Sequence, residues 1–169
     1  MRISDTLLPE FDQEMASTRK ILERCPESKF GWRPHAKSWT MVELATHVAN
    51  LPDWANETLK KESLDYAPAD GSQPYKREPA RSSQELLADF DKNVASARAA
   101  IAETSDEGYA KLWTLLAGGQ KIFSIPRVAV LRSFVFNHII HHRGQLSVYL
   151  RLNDIPVPGM YGPSADEAS

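Results

Sequence analysis

The chain has 169 residues, 20 lysines and arginines against 22 aspartates and glutamates, and a formal charge of −2. That length suits one domain with a continuous core, and the near balance of charge excludes the basic field that nucleic-acid binding requires. No run reaches the roughly 20 apolar residues of a membrane span, and the opening residues lack a basic segment followed by an apolar one, so a cytoplasmic protein is expected.

In residues 4–24, Leu7, Leu8, Phe11, Met15, Thr18, Ile21 and Leu22 recur at three and four, the stripe of an amphipathic first helix that Pro26 closes. The single Cys25 has no partner for an internal disulfide, and nothing near it in sequence lowers its pKa, which makes it a poor nucleophile. The loop to Trp39, with Gly31, Pro34 and two tryptophans, is apolar enough to pack across one end of the helices. Thr40 and Glu43 have capping-box spacing and open helix two, whose stripe runs through Leu44, His47, Leu51, Trp54 and Thr58. Pro52 cannot donate to the Val48 carbonyl, so that helix is expected to bend or break one turn past His47.

Residues 65–81, rich in proline, glycine and polar side chains, read as a long connection. Ser82 and Glu85 repeat the capping spacing before the third stripe, Leu86, Leu87, Phe90, Val94, Ala97 and Ile101. Residues 112–116 and 121–125 flank Ala117-Gly118-Gly119-Gln120 as a short hairpin, and a fourth helix follows over residues 126–152. Pro156, Pro158 and Pro163 keep the remainder extended. The expected architecture is all-α: a single four-helix-bundle domain over 1–169 with a small β-hairpin before the last helix.

Three of the five histidines fall within His138-Ile139-Ile140-His141-His142. At about 100° per residue, Leu131, Phe134, Val135, Gln145, Leu146 and Tyr149 define an inward face centred between His138 and His142. Residues four apart on a helix bring their side chains within about 6 Å at Cβ, so these two imidazoles can converge on one ion. His141 lies at the flank and is not excluded by spacing alone. A third ligand must come from another helix, and His47 is the histidine at an inward position of helix two, with His35 in reserve. The competing explanation, core histidines satisfied by hydrogen bonds, weakens for three rings, whose many nitrogens one cation would serve at once.

Three neutral imidazoles leave an ion's charge intact and a coordination position open, and they suit zinc, nickel, copper or iron. Ile139 follows the first histidine where a zincin protease would carry glutamate, which disfavours peptide hydrolysis. Glu43, one turn before His47, is the candidate catalytic residue, to orient that imidazole or act as a base; a cap alone is the equal alternative. Gln145 presents a polar group to the site, and Arg143 is expected to turn outward to a surface or interface. Trp39 and Trp54 either border an apolar substrate pocket near His47 or belong to the core.

The run His138-Ile139-Ile140-His141-His142-Arg143-Gly144-Gln145-Leu146, followed by Tyr149-Leu150-Arg151 and Tyr161-Gly162-Pro163-Ser164, resembles the DinB/YfiT-like family of metalloenzymes, the DinB superfamily. Phe30-Gly31-Trp32-Arg33-Pro34-His35, Ser38-Trp39-Thr40 and Glu43-Leu44-Ala45-Thr46-His47 are similar to that family's first ligand region, so the likeness covers nearly the whole chain. The resemblance implies a bundle of unusual connectivity, commonly dimeric, with one divalent ion, zinc or nickel foremost, on positions that map to His47, His138 and His142. It also implies a small-molecule enzyme, with a thiol-dependent transferase and a low-molecular-weight thiol cosubstrate among the family's chemistries. The rival from another class is a non-catalytic, stress-linked metal-binding or interaction protein. On the back of helix four, Ala129, Ser133, Phe136, Ile140, Gly144 and Ser147 form a face suited to a second helix, which predicts a homodimer unless the chain covers that face itself.

Overall fold

The computed structural model describes residues 1–72 and 77–167. Within them the chain is mostly helical, with one small sheet. Helix α1 (Ile3–Leu22) buries Leu7, Phe11, Met15, Ile21 and Leu22 along the stripe that its spacing predicts. Helix α2 (Met41–Asn50) begins at the expected cap: Glu43 N–H donates to Thr40 Oγ1 at 3.3 Å, and Thr40 N–H donates back to the Glu43 carboxylate at 2.7 Å. At Pro52 the helical ladder fails as its missing N–H requires. A 3₁₀ turn (Leu51–Asp53) joins α2 to the short α3 (Trp54–Lys60).

Helix α4 (Ser83–Glu103) starts at Ser82, whose hydroxyl accepts from Glu85 N–H at 3.1 Å. Each of α1 and α2 packs on both α4 and α7 (Asn137–Arg151), and their apolar stripes merge into one core. Each fully buried leucine or phenylalanine there contributes about 1.5–3 kcal/mol. A short α5 (Asp106–Ala110), which periodicity did not reveal, buries Tyr109 and precedes the sheet.

Strands β2 (Leu112–Ala117) and β3 (Gln120–Pro126) form the expected antiparallel hairpin, turning through Gly118 (φ 58) and Gly119 (φ 76). Both residues sit in the left-handed region, where a side chain is strained and glycine is not. The sheet has a third strand that lies at the start of what reads as a long connection. Strand β1 (Ser63–Asp65) pairs parallel to β2, and the Asp65 carboxylate accepts from the N–H groups of Gly118 and Gly119 at 3.0 and 2.6 Å. Residues 73–76 of that connection lie outside the described residues. The sheet closes a second apolar cluster, in which buried Trp113 donates its indole N–H to the Glu57 carbonyl at 3.0 Å.

The last helical rod is not uniform. Helix α6 (Arg127–Val130) passes into a π-helical stretch (Leu131–Phe136) before α7 begins. A π turn holds one residue more than an α turn, so everything after it is rotated by roughly one position relative to simple counting. The buried line of α7 accordingly runs through Ile139, Arg143, Leu146 and Leu150, not midway between His138 and His142.

That rotation corrects the outward placement of Arg143. Its side chain is 1% exposed and ion-paired with Glu14 of α1 at 2.7 Å. It also donates to the Glu14 carbonyl, the Thr18 hydroxyl and the Tyr161 hydroxyl. Phe136 also packs on α1, fully buried edge-to-face against Phe11 at 5.9 Å between centroids. Part of the face assigned to a partner is therefore covered within the chain.

Candidate metal centre

The same rotation leaves His138 and His142 half-buried at the edge of α7 that faces α2, where His47 also lies half-buried. The three rings meet. Centroid separations are 5.1 Å (His47–His138), 4.6 Å (His47–His142) and 4.7 Å (His138–His142), and one ring nitrogen from each lies within 4.8 Å of the other two. His47 Nε2 and His138 Nε2 are 3.4 Å apart. Two ligand nitrogens at about 2.05 Å from a tetrahedral ion stand about 3.3 Å apart, so this pair already has the edge length that such an ion demands.

His142 Nδ1 is 2.7 Å from Gln145 Oε1. A carbonyl oxygen only accepts, so Nδ1 carries the proton and Nε2 keeps its lone pair. Gln145→Ala should lower metal affinity about 10- to 100-fold by freeing that ring, measured by competition with a chromogenic chelator. An unchanged affinity would assign the contact no orienting role.

Electrostatics keep the rings in the ligand form. Burial, and then the positive charges of His142 and His138, push the His47 pKa down to about 4. Burial and then the His142 charge also lower His138, with the Phe134 carbonyl opposing. Burial lowers His142, with the Gln145 hydrogen bond opposing. All three are thus neutral near pH 7, and protons compete weakly with a cation. In the metal-free protein the unfolded chain protonates His47 near 6.5, while the folded chain resists until about 4. Between those values the unfolded state binds more protons, so stability should fall as pH drops through that window and show no such slope above it. Denaturant midpoints measured from about pH 7.5 down to about pH 5 check this, and His47→Gln should flatten the slope.

The other sequence candidates separate clearly. His35 is exposed in its loop, where Nδ1 accepts from Lys37 N–H at 3.1 Å. His141 is exposed, its ring 4.7 Å from that of His142 but outside the trio. The Glu43 carboxylate accepts from Thr40 N–H and Thr40 Oγ1, both at 2.7 Å, and these bonds lower its pKa, the backbone one foremost. Its hydrogen bonds serve the cap, and they weaken it as a base. Cys25 is buried, and burial pushes its thiol up to about 12, in keeping with an inert residue.

A cavity of about 370 Å³ reaches His47 and His138, with Trp39, Leu51, Trp54 and Pro79 as apolar wall and Glu43 and Arg77 as its charged groups. Trp54 is held there by stacking on Phe134 at 5.8 Å and by packing against Trp113. Trp39 is half-exposed, stacked on His142 at 5.8 Å and 4.9 Å from His47, and it separates this cavity from a shallower groove beside His142. Its backbone carbonyl accepts from Tyr149 of α7, which fastens the loop over the histidines. Arg77 stands in the connection that reads as featureless in sequence, and no periodic signal marks it.

Known proteins share this arrangement of chain. Over 167 residues the chain is 26% identical to the uncharacterized protein YrdA of Bacillus subtilis (strain 168), covering 96% of this chain and 90% of that protein. Its fold is similar to that of a DinB-like protein from Bacillus cereus, with a TM-score of 0.71 and 21% identity over 95% of this chain and 98% of the other. It is similar also to the DinB-like protein YjoA from Bacillus subtilis, with a TM-score of 0.67 and 18% identity over 89% and 96%. The model of the DinB superfamily matches residues 10–146, a span that runs from α1 through all three clustered histidines, and the chain belongs to that superfamily.

Proposed function

We propose that this chain is a metal-dependent enzyme of small-molecule chemistry that holds one divalent transition ion, zinc or nickel foremost, with His47, His138 and His142, and uses a low-molecular-weight thiol in a transfer reaction. The observation that carries this reading is the meeting of three half-buried imidazoles, their nitrogens within 4.8 Å, at the edge of a cavity of substrate size. A bound ion would supply Lewis-acid polarisation and lower the pKa of whatever group enters its open position. Gln145 orients His142, and burial keeps the three rings unprotonated. Trp39 limits the approach of water, while Leu51 and Trp54 receive an apolar body. Glu43 supplies a fixed negative charge one turn before His47 and acts through charge more than through proton transfer.

The reading takes residues 1–169 as one domain whose four long helices form the bundle of DinB/YfiT-like topology. It includes a homodimer through α7, where Ile140, Gly144 and Ser147 remain partly exposed after Phe136 is covered by α1. Protein expressed without a histidine tag should retain close to one equivalent of a transition metal, read by elemental analysis. The loaded protein should turn over at least one electrophile across a panel of thiols. Less than about a tenth of an equivalent would remove the metal reading. Full loading without turnover would favour the non-catalytic class, and sedimentation showing monomer alone would remove the dimer.

A further inference from the structure

Trp39 borders the cavity and also the groove beside His142, and the two hollows differ in charge. The cavity has a carboxylate, Glu43, on its wall. The groove, of about 480 Å³, has no carboxylate among the described residues that line it, and Lys37 is its cation.

Both walls of the groove are held in place. One is the loop before α2, which supplies Pro34, Lys37 and Trp39; the other is the side of α7 on which Val148 and Tyr149 follow Gln145 at spacings of three and four. The Tyr149 hydroxyl donates to the Trp39 carbonyl at 3.2 Å, and the Tyr149 ring meets Trp32 edge-to-face at 5.4 Å. Loop and helix are thus fastened to each other, and the groove is preformed.

The free polar groups of this groove are donors. The Lys37 side chain is exposed, and its ammonium has no hydrogen-bond or ion-pair partner among the described residues. Gln145 commits its amide oxygen to His142 Nδ1 at 2.7 Å, which leaves its amide N–H groups without an acceptor among the described residues. The Ser38 hydroxyl can donate as well. Apolar surface accompanies them: Val148 is 55% exposed, and Trp39 is 47% exposed even with its ring contacts to His47 and His142 in place. A cation and an amide donor without a carboxylate in the same groove match an oxyanion, and the Val148 and Trp39 surface matches an apolar body attached to it.

We propose that this groove is a second ligand site, which binds a small carboxylate with an apolar body. The carboxylate meets Lys37 and the Gln145 amide, and the body covers Val148 and Trp39. Because Trp39 separates the two hollows, groove and cavity can be occupied at once. The occupant of the groove needs no ion at the histidines, so this site stands apart from the metal reading.

The test titrates the full, metal-free chain with benzoate and with benzamide, following methyl and side-chain amide resonances by NMR. The probes share a ring and differ in charge. Benzoate should shift the Val148 methyls and the Gln145 side-chain N–H signals, and leave in place the methyls of Leu51, which lines the cavity. It should bind about threefold more tightly than benzamide, within the range that an exposed charge pair provides. Lys37→Gln should bring that ratio close to one with benzamide affinity unchanged, and Lys37→Glu should bring it below one; both are surface changes that leave the fold intact. Added salt should weaken benzoate alone. Equal wild-type affinities overturn the proposal, as does a preference that survives Lys37→Gln. Benzoate that moves Leu51 and not Val148 overturns it by placing the ligand in the cavity, and so does the absence of any shift up to the solubility of the probe. Val148 signals that follow protein concentration and ignore benzoate overturn it in favour of a second copy of this chain. With no metal present, none of these outcomes decides the histidine centre.

Discussion

His142→Ala is expected to leave a folded protein that no longer retains its ion and no longer turns over. The ring is half-buried, and its hydrogen bond is to Gln145 on its own helix, so truncation should cost the fold only about 1 kcal/mol. The loss at the centre is far larger. Removing a group that merely orients a ligand costs about 10- to 100-fold in affinity, and removing the ligand itself should exceed that upper figure. The matched control is His141→Ala, one residue away and exposed. It deletes the same imidazole from the same helix but not from the trio, so it should load fully. Circular dichroism, elemental analysis and thiol-transfer assays on both variants decide the matter. A fully loaded His142→Ala protein, or a His141→Ala protein stripped of metal, would rule out this ligand set.

What the sequence made legible was local. Helix starts at Thr40 and Ser82, the break at Pro52 and the Gly118-Gly119 turn each depend on residues within one turn of one another, and the structure contains all of them. The histidines were legible because i, i+4 spacing on one helix brings two rings together wherever that helix packs. What was hidden was non-local or out of phase. Strand β1 is three residues long, without alternation, and exists because β2 pairs with it from about fifty residues away. Arg77 is one of two arginines in the polar stretch 65–81 and is distinguished only by the cavity beside it.

The π-helical stretch is the instructive case. Counting at the α-helical period from Leu131 onward put the face of α7 one residue out of place, with two consequences. It sent the two histidines to the centre of the core, when they stand at its edge, His138 on the cavity and His142 on the groove beyond Trp39. It also sent Arg143 to the surface, when it lies on the buried line. The extra residue of that turn rotates both positions together and so sets which neighbour each of two residues about 100° apart on α7 meets. His142 faces α2 and the candidate centre, and Arg143 faces α1.

Arg143→Ala should therefore be the most destabilising single change considered, at about 3–5 kcal/mol, because it strands a buried carboxylate. Glu14 is 5% exposed and receives the guanidinium at 2.7 Å, while the Tyr161 hydroxyl bridges the same pair at 2.7 Å from Arg143 and 2.9 Å from Glu14. The arginine thus ties α1, α7 and the C-terminal stretch at one point. With about 2–4 °C per kcal/mol for a chain of this size, the melting temperature should fall by roughly 6–20 °C. Arg143→Lys keeps a charge but not the fork, so it should lose less. The decisive comparison is the double variant Glu14→Leu/Arg143→Met. If the cost of Arg143→Ala is the stranded carboxylate, replacing both partners by apolar groups should recover most of it, since no charge is left without a counterion. If the double variant melts as low as Arg143→Ala, the arginine works through packing and its tie to Tyr161, not through charge. A fall of less than about 2 °C for Arg143→Ala itself would show that the pair contributes little to holding α7 in the phase that brings His138 and His142 toward His47.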